Sequence, residues 1–204
     1  ISRGLVGSEM CIRDRLGMGG DTPVVATLDA VESPDSLVLG IAPPGGQIPP
    51  EWKSVIVEAI ERGLDVVSGL HEFLTDNAEL TSLAEKHGVR IVDVRKNDES
   101  APSDCVDFRP GCLRIHTVGH DCTVGKMVAS LEIQLGLVAR GIDAHFAATG
   151  QTGIMVSGEG TPIDCVVSDF VNGAAERLVM ASQHHDVVCL LYTSPSQRDL
   201  WISR

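Results

Sequence analysis

Short apolar runs alternate with longer amphipathic ones along this chain, a pattern that predicts βαβ units and a parallel sheet. "PVVATL" (Pro23 to Leu28) and "SLVLGIA" (Ser36 to Ala42) read as buried strands, and "PPGGQIPP" as the loop after them. "EWKSVIVEAIERG" starts behind two prolines, places Trp52, Val55, Ile56, Ala59 and Ile60 at helical spacing, and stops at Gly63. That is a helix punctuated at both ends. "LDVVSG" is another strand; "DNAELTSLAEKHG" is a helix with Asp76 as N-cap and Gly88 at its C-terminus; "VRIVDV" closes the unit. These elements predict a Rossmann-like domain over 16–95, incomplete at its start.

From Arg95 to Pro110 the periodicity lapses and Pro, Ser and charge gather, which marks 96–110 as a linker. "CLRIHTV" then reads as a strand, and Lys126 to Arg140 as a helix with Val128, Leu131, Leu135 and Val138 on one face, ending at Gly141. "DAHFAATG" is the next strand, "QTGIMVSGEGTPID" a Gly-rich loop, "CVVSDFVNGAAERLVMASQ" mostly helix, and "HHDVV" a strand. The fold class expected is α/β: a Rossmann-like N-terminal domain followed by a truncated P-loop NTPase-like domain with a parallel sheet over 111–188.

The two ends read differently. "GLVGSEMCIRDR" (Gly4 to Arg15) and "CLLYTSPSQRD" (Cys189 to Asp199) share no amino-acid similarity. Their possible genes do: GAG ATG TGT ATA AGA GAC encodes Glu9 to Asp14, and its reverse complement in a shifted frame encodes Cys189 to Ser194. One inverted DNA element at both ends resembles a sequencing adapter translated with its insert, so 1–15 and 189–204 are expected to be adapter-derived tails around a fragment of metagenomic origin.

The whole chain has 16 Lys and Arg against 28 Asp and Glu, net −12. Without the tails (Arg3, Arg13, Arg15, Arg198, Arg204; Glu9, Asp14, Asp199) the balance is 11 against 25, or −14. So acidic a chain lacks the basic face that nucleic acid or an anionic membrane requires. Outside the tails Cys105, Cys112, Cys122 and Cys165 are scattered without the spacing of a zinc site, so reduced thiols in the cytoplasm and no bound metal are expected. No apolar run approaches the roughly 18 residues of a spanning helix.

The candidate chemistry begins at "VGHDCTVGKM" (Val118 to Met127). A P-loop is G-x-x-x-x-G-K-[ST], its backbone N–H groups cradling phosphates, its lysine reaching the terminal ones and its hydroxyl holding Mg²⁺. Here five residues separate Gly119 from Gly125, and Met127 replaces the hydroxyl. The context of strand, glycine turn and helix still makes an anion site, because the first helical turn aims unpaired N–H groups at the loop and Lys126 adds a charge. A thioether is no ligand for Mg²⁺, so metal-assisted ATP hydrolysis is not expected from this loop.

The loop resembles the "GTDTxVGKT" P-loop of dethiobiotin synthetases, which also has five intervening residues; Gly119, Asp121, Val124, Gly125 and Lys126 match it. Together with "FAATGQTGIMVSGEGTPIDCVVSDFVNGAAERLV", "GIAPPGGQIPPEW" and "VVSGLHEFL", it resembles more closely a two-domain family, long a domain of unknown function, that includes D-glutamate N-acetyltransferase. That resemblance covers nearly all of 16–188 and carries Met127 with it as the family's own variant. It implies acetyl transfer from acetyl-CoA to the amine of a D-amino acid, with a small-molecule amino-acid substrate and no nucleic-acid or membrane partner. It is compatible with a homo-oligomer.

On this reading Gly119, Asp121, Cys122, Thr123, Val124, Gly125, Lys126 and Met127 hold the phosphates of the cofactor. "ATGQTG" should sit at the carboxyl ends of the strands, where Thr149, Gly150, Gln151, Thr152 and Gly153 are placed to hold a substrate carboxylate or an oxyanion. His120, Asp121 and Gln151 are the catalytic candidates. Cys122 beside a helix N-terminus is a candidate nucleophile, though small-residue packing explains it as well. Asp164 and Asp169 flank an apolar run; Asp169 is a candidate base or water-mediated metal partner, though such an Asp more often caps or solvates a helix. His71, His87, His116, His184 and His185 read as structural or exposed. Dethiobiotin synthetases carry a lysine in the loop comparable to 148–153 and this chain has none. Two alternatives stay open: an ATP-dependent, Mg-using carboxylate-amine ligase of that type, and a nucleotide-binding protein without turnover. The 204-residue chain itself is expected to be inactive and to expose a hydrophobic sheet edge.

Overall fold

A proline pair followed by Trp52, Val55, Ile56, Ala59 and Ile60 forms helix α1 (Pro50–Glu61), whose buried face is Ile56, Ala59 and Ile60. The computed structural model describes Val25, Pro43 and residues 27–40, 47–119 and 124–191. Strands β1 (Ser36–Leu39), β2 (Asp65–Ser68) and β3 (Ile91–Asp93) make a parallel sheet in that order, in register Val38↔Val67↔Val92. Helix α2 (Ala78–His87) starts at Asn77, whose side-chain oxygen accepts from the N–H groups of Glu79 and Leu80, and ends at left-handed Gly88, φ 68°. The cap is thus Asn77 and not Asp76. Asp76 ends a short 3₁₀ turn and pairs with Lys96 instead. Leu28, expected to end a strand, starts another 3₁₀ turn, Leu28–Ala30.

The second sheet holds β4 (Leu113–Thr117), β5 (Ala144–Ala147) and β6 (Val187–Leu191), all parallel, in the order β4-β6-β5. Both sheets are parallel and built through helical crossovers, as the alternating pattern predicts. Strand β6 runs three residues past Val188, and Cys189 is fully buried in it. Among the described residues no helix is long and apolar enough to cross a membrane.

Two further expectations are corrected. Helix α3 (Lys126–Val138) does not bury the stripe Val128, Leu135, Val138; those side chains are 52, 56 and 49% exposed. Its inward positions are Met127, Ser130, Leu131, Gln134 and Leu137, at helical spacing but with two polar members. Gln134 Nε2 donates to the Ala144 carbonyl at 3.1 Å, and Ser130 is wholly buried with no partner for its hydroxyl among the described residues. A stripe chosen by hydrophobicity alone misses a face that contains them.

The Gly-rich segment after β5 is not a loop throughout: Gln151–Ser157 is helix α4. Gly153 is there for space. A Cβ on it would stand 3.0 Å from Ala148 Cβ and 3.3 Å from the Phe146 ring. The segment 165–183, read as mostly helix, is so: α5 (Val171–Ser182) follows two 3₁₀ turns at Ile163–Cys165 and Ser168–Phe170.

Residues 96–110 contain no helix or strand and lie as a strap along α5. Glu176 of α5 accepts from Ser103 Oγ and from the N–H groups of Asp104 and Val106, and Arg177 pairs with Glu99. Gly173 lets the strap close: a Cβ there would be 2.3 Å from the Ala101 carbonyl oxygen.

Candidate functional site

Strand β4 delivers the chain to Val118 and Gly119 at its carboxyl end, and α3 starts at Lys126 behind Gly125. Gly125 is the N-cap at φ 92°, a left-handed conformation that glycine adopts without strain. The two ends of the loop are drawn together: a Cβ on Gly119 would meet Val124 Cγ2 at 2.8 Å and Lys126 Cδ at 3.0 Å. His120, Asp121, Cys122 and Thr123, predicted here as catalytic or cofactor-binding, lie outside the described residues. Val124 is exposed and Lys126 half-buried at the mouth of the helix. Met127 faces away from that mouth, into the core with Phe146, Ala148, Leu131 and Ile154. The residue that follows the lysine is therefore packing, which accounts for a side chain with no oxygen.

The "ATGQTG" segment leaves the carboxyl end of β5, on the same edge of the sheet, with one strand between it and the β4 loop. Two strand spacings put the two loops about 10 Å apart. Thr149 and Gly150 are buried, Gln151 is half-buried as the first residue of α4, Thr152 is exposed and Gly153 is buried. The segment is anchored from behind: Thr161 N–H donates to the Ala148 carbonyl at 3.0 Å and Ile163 N–H to the Thr149 carbonyl at 3.2 Å. The structure thus brings together the described ends of the first loop, 118–119 and 124–127, and residues 149–153 at one end of the sheet.

The first sheet also reaches this place. Gly69, just past β2, would carry a Cβ 2.8 Å from Met155 Cε and 3.0 Å from Gln151 Cγ. Arg95, just past β3, pairs with Asp164. Arg95 carries no periodic or motif signal in the sequence, being one charge among several at the end of a strand. Asp164 is accordingly the partner of a buried arginine, whereas Asp169 is exposed in the next turn. His71 lies 3.5 Å, through Nδ1, from Arg95 Nη1.

A separate cavity of about 470 Å³ opens on the α5 side of β5, lined by His145, Glu159, Thr161, Arg177, Ser182 and His185 among others. Ala148, at the start of "ATGQTG", lines it, but the candidate substrate residues 149–153 do not. His145 and His185 stack with ring centroids 4.9 Å apart, and burial, more than its neighbours, lowers the His145 pKa. Burial likewise lowers that of His116 on β4 and raises that of the Cys189 thiol. Among the described residues no group of three or more His, Cys, Asp or Glu is arranged to hold a metal ion.

Comparison with known proteins agrees with this architecture. Residues 7–97 match the model of a Rossmann-like domain of unknown function, DUF1611_N, and residues 104–191 match its P-loop companion, DUF1611_C. Two curated relatives are each called D-glutamate N-acetyltransferase. One, from a Pseudoalteromonas species, is 43% identical over 75% of this chain and 46% of its own length. The other, from Tritonibacter scottomollicae, is 46% identical over 70% of this chain and 43% of its own length. The chain therefore spans less than half the length of the curated relatives it matches. The crystal structure of a DUF1611 family protein from Anabaena variabilis superposes with a TM-score of 0.75 at 36% identity, covering 88% of this chain and 53% of that one. With both domain models matched in order and a solved member sharing the fold, the chain belongs to the DUF1611 family.

Proposed function

We propose that this chain forms part of an N-acetyltransferase that moves an acetyl group from acetyl-CoA to the amine of a D-amino acid of the D-glutamate type. The observation that carries the reading is the 43 and 46% identity to proteins called D-glutamate N-acetyltransferase, over 75 and 70% of this chain. The residue types suit a phosphate-bearing cofactor: Gly119 lets the Val124 and Lys126 side chains close against the backbone, Gly125 opens the first turn of α3, and Lys126 stands beside it. The first turn of a helix directs its N–H groups and positive dipole end toward an anion. Acetyl-CoA would supply the activated acyl group. Thr149, Gln151 and Thr152 with the N–H groups of Gly150 and Gly153 would hold the amino acid's carboxylate or the developing oxyanion. Because Met127 is committed to the core, its position offers Mg²⁺ no oxygen, which weighs against an ATP-dependent ligase. The four described cysteines are free thiols, which suits the cytoplasm.

The test uses the chain extended to the full length of its relatives, incubated with acetyl-CoA or ATP separately and with D- or L-glutamate. N-acetyl-D-glutamate from the acetyl-CoA arm is expected. ADP from the other arm transfers the assignment to a ligase, and cofactor binding without product in either arm makes it a binding protein. Lys126→Ala should raise the KM for acetyl-CoA about tenfold or more, the effect of losing one charge-assisted contact. An unchanged KM removes Lys126 from the cofactor site.

A further inference from the structure

Arg95 stands two residues past β3 with only 5% of its surface exposed. Its Nε donates to the Gly69 carbonyl at 2.8 Å, and its Nη1 pairs with Asp164 and lies 3.5 Å from Cys165 Sγ. Each partner leads to the candidate substrate loop. Gly69 is the residue on which Gln151 and Met155 of α4 rest. Asp164 and Cys165 belong to the turn whose Ile163 N–H holds the Thr149 carbonyl, and Asn97 Nδ2 donates to the Cys165 carbonyl at 3.3 Å. One guanidinium therefore ties the end of β2 to the turn that backs residues 148–153.

Burying a cation for stability alone is poor economy, since an apolar side chain of similar volume serves as well or better. What only arginine offers is a rigid fork that fixes two acceptors in different directions. We propose that Arg95 is a positioning residue: it holds the loop Thr149–Gly153 against the first domain and so sets the acceptor side of the reaction. The kinetic part of this proposal rests on the acetyltransferase reading. The structural part does not.

Two variants test it, Arg95→Lys, which keeps the charge without the fork, and Asp164→Asn, which keeps the fork without its carboxylate. Hydrogen exchange on the 204-residue chain should show the amides of Thr161, Ile163 and Gly150 to Gly153 exchanging about tenfold faster in Arg95→Lys, while those of Ile56 and Ala59 in α1 hold. Unchanged exchange in that loop, or acceleration equal to that in α1, overturns the proposal, and Arg95→Lys decides it if Asp164→Asn fails to fold. In the full-length enzyme both variants should lose up to about 10²-fold in kcat/KM for the amino acid, the scale of a misplaced reactant, with the KM for acetyl-CoA unchanged. Equal losses toward both substrates also overturn it. A wild-type enzyme that acetylates no amine would instead sink the acetyltransferase reading and leave the exchange experiment to decide the clamp.

Discussion

Among the described residues the two sheets have the same number of strands, all parallel, yet their cores are built differently. Around β1, β2 and β3 the buried side chains join in one cluster, from Leu28 and Leu37 through Ile56 and Ile60 to Leu80 and Ala84. Around β4, β5 and β6 they fall into four clusters of two or three residues each. Large apolar side chains on that side remain in contact with water: Leu113 at 59%, Val118 at 73% and Leu135 at 56% exposed. The first domain is thus organised to hold itself together, whereas the second, which carries the candidate site, leaves large apolar side chains exposed on β4 and α3. The larger core and the candidate site belong to different sheets, and the contacts at Gly69 and Arg95 join them.

The strongest test of that contrast is a pair of truncations. Ile60 is wholly buried in the continuous cluster, so Ile60→Ala should cost about 3–4 kcal/mol, the sum of lost transfer energy and a cavity. Leu135→Ala, on the exposed side of α3, should stay within about 0.5 kcal/mol. Urea denaturation measures both. Comparable losses would mean that the two cores are equally committed and that the contrast is false.

A smaller effect probes how the strap 96–110 joins the second domain. Gly173→Ala would push a methyl group against the Ala101 carbonyl oxygen and the Pro102 backbone, neither of which can rotate away. A loss of about 2 kcal/mol is expected from such overpacking, read in the same denaturation assay. Ala substitution of a helical glycine in open space would instead be stabilising, so the sign of the change decides whether the strap lies where the structure places it.

How much of this was legible in the sequence depended on whether one residue's neighbours were local. Pro50 and Gly63 around α1, and Gly88 after α2, are read by rules spanning one helical turn, and the structure follows them. The α/β class and the strand–turn–helix setting of Lys126 were legible for the same reason. Asn77 rather than Asp76 as the cap was one residue beyond that resolution. The buried face of α3 was not legible, because Ser130 and Gln134 lie on it and the apolar Val128 and Leu135 do not. Gly153 resembles a loop glycine, and only the Phe146 ring beside it shows that it is a packing glycine within a helix. Arg95 finds Asp164 sixty-nine positions away, a pairing that no periodicity announces.

The finest distinction concerns the charge that fastens the strap. Hydrogen bonds hold the Glu176 carboxyl below its ordinary value, that from Ser103 contributing most, with the N–H groups of Asp104, Val106 and Cys105 adding to it against partial desolvation. A carboxylate whose folded pKa is depressed stabilises the fold fully above its unfolded value, near 4.3, and loses that contribution as pH falls through the lower folded one. The strap amides of Asp104 and Val106 should therefore stay protected at neutral pH and lose protection in acid below about pH 4, ahead of the amides of α1. In Glu176→Gln the neutral side chain can still accept hydrogen bonds, so part of the protection should survive but its acid dependence should vanish. If the acid dependence persisted in that variant, another group would have to be fastening the strap, and the attachment of 96–110 to α5 would need a different cause.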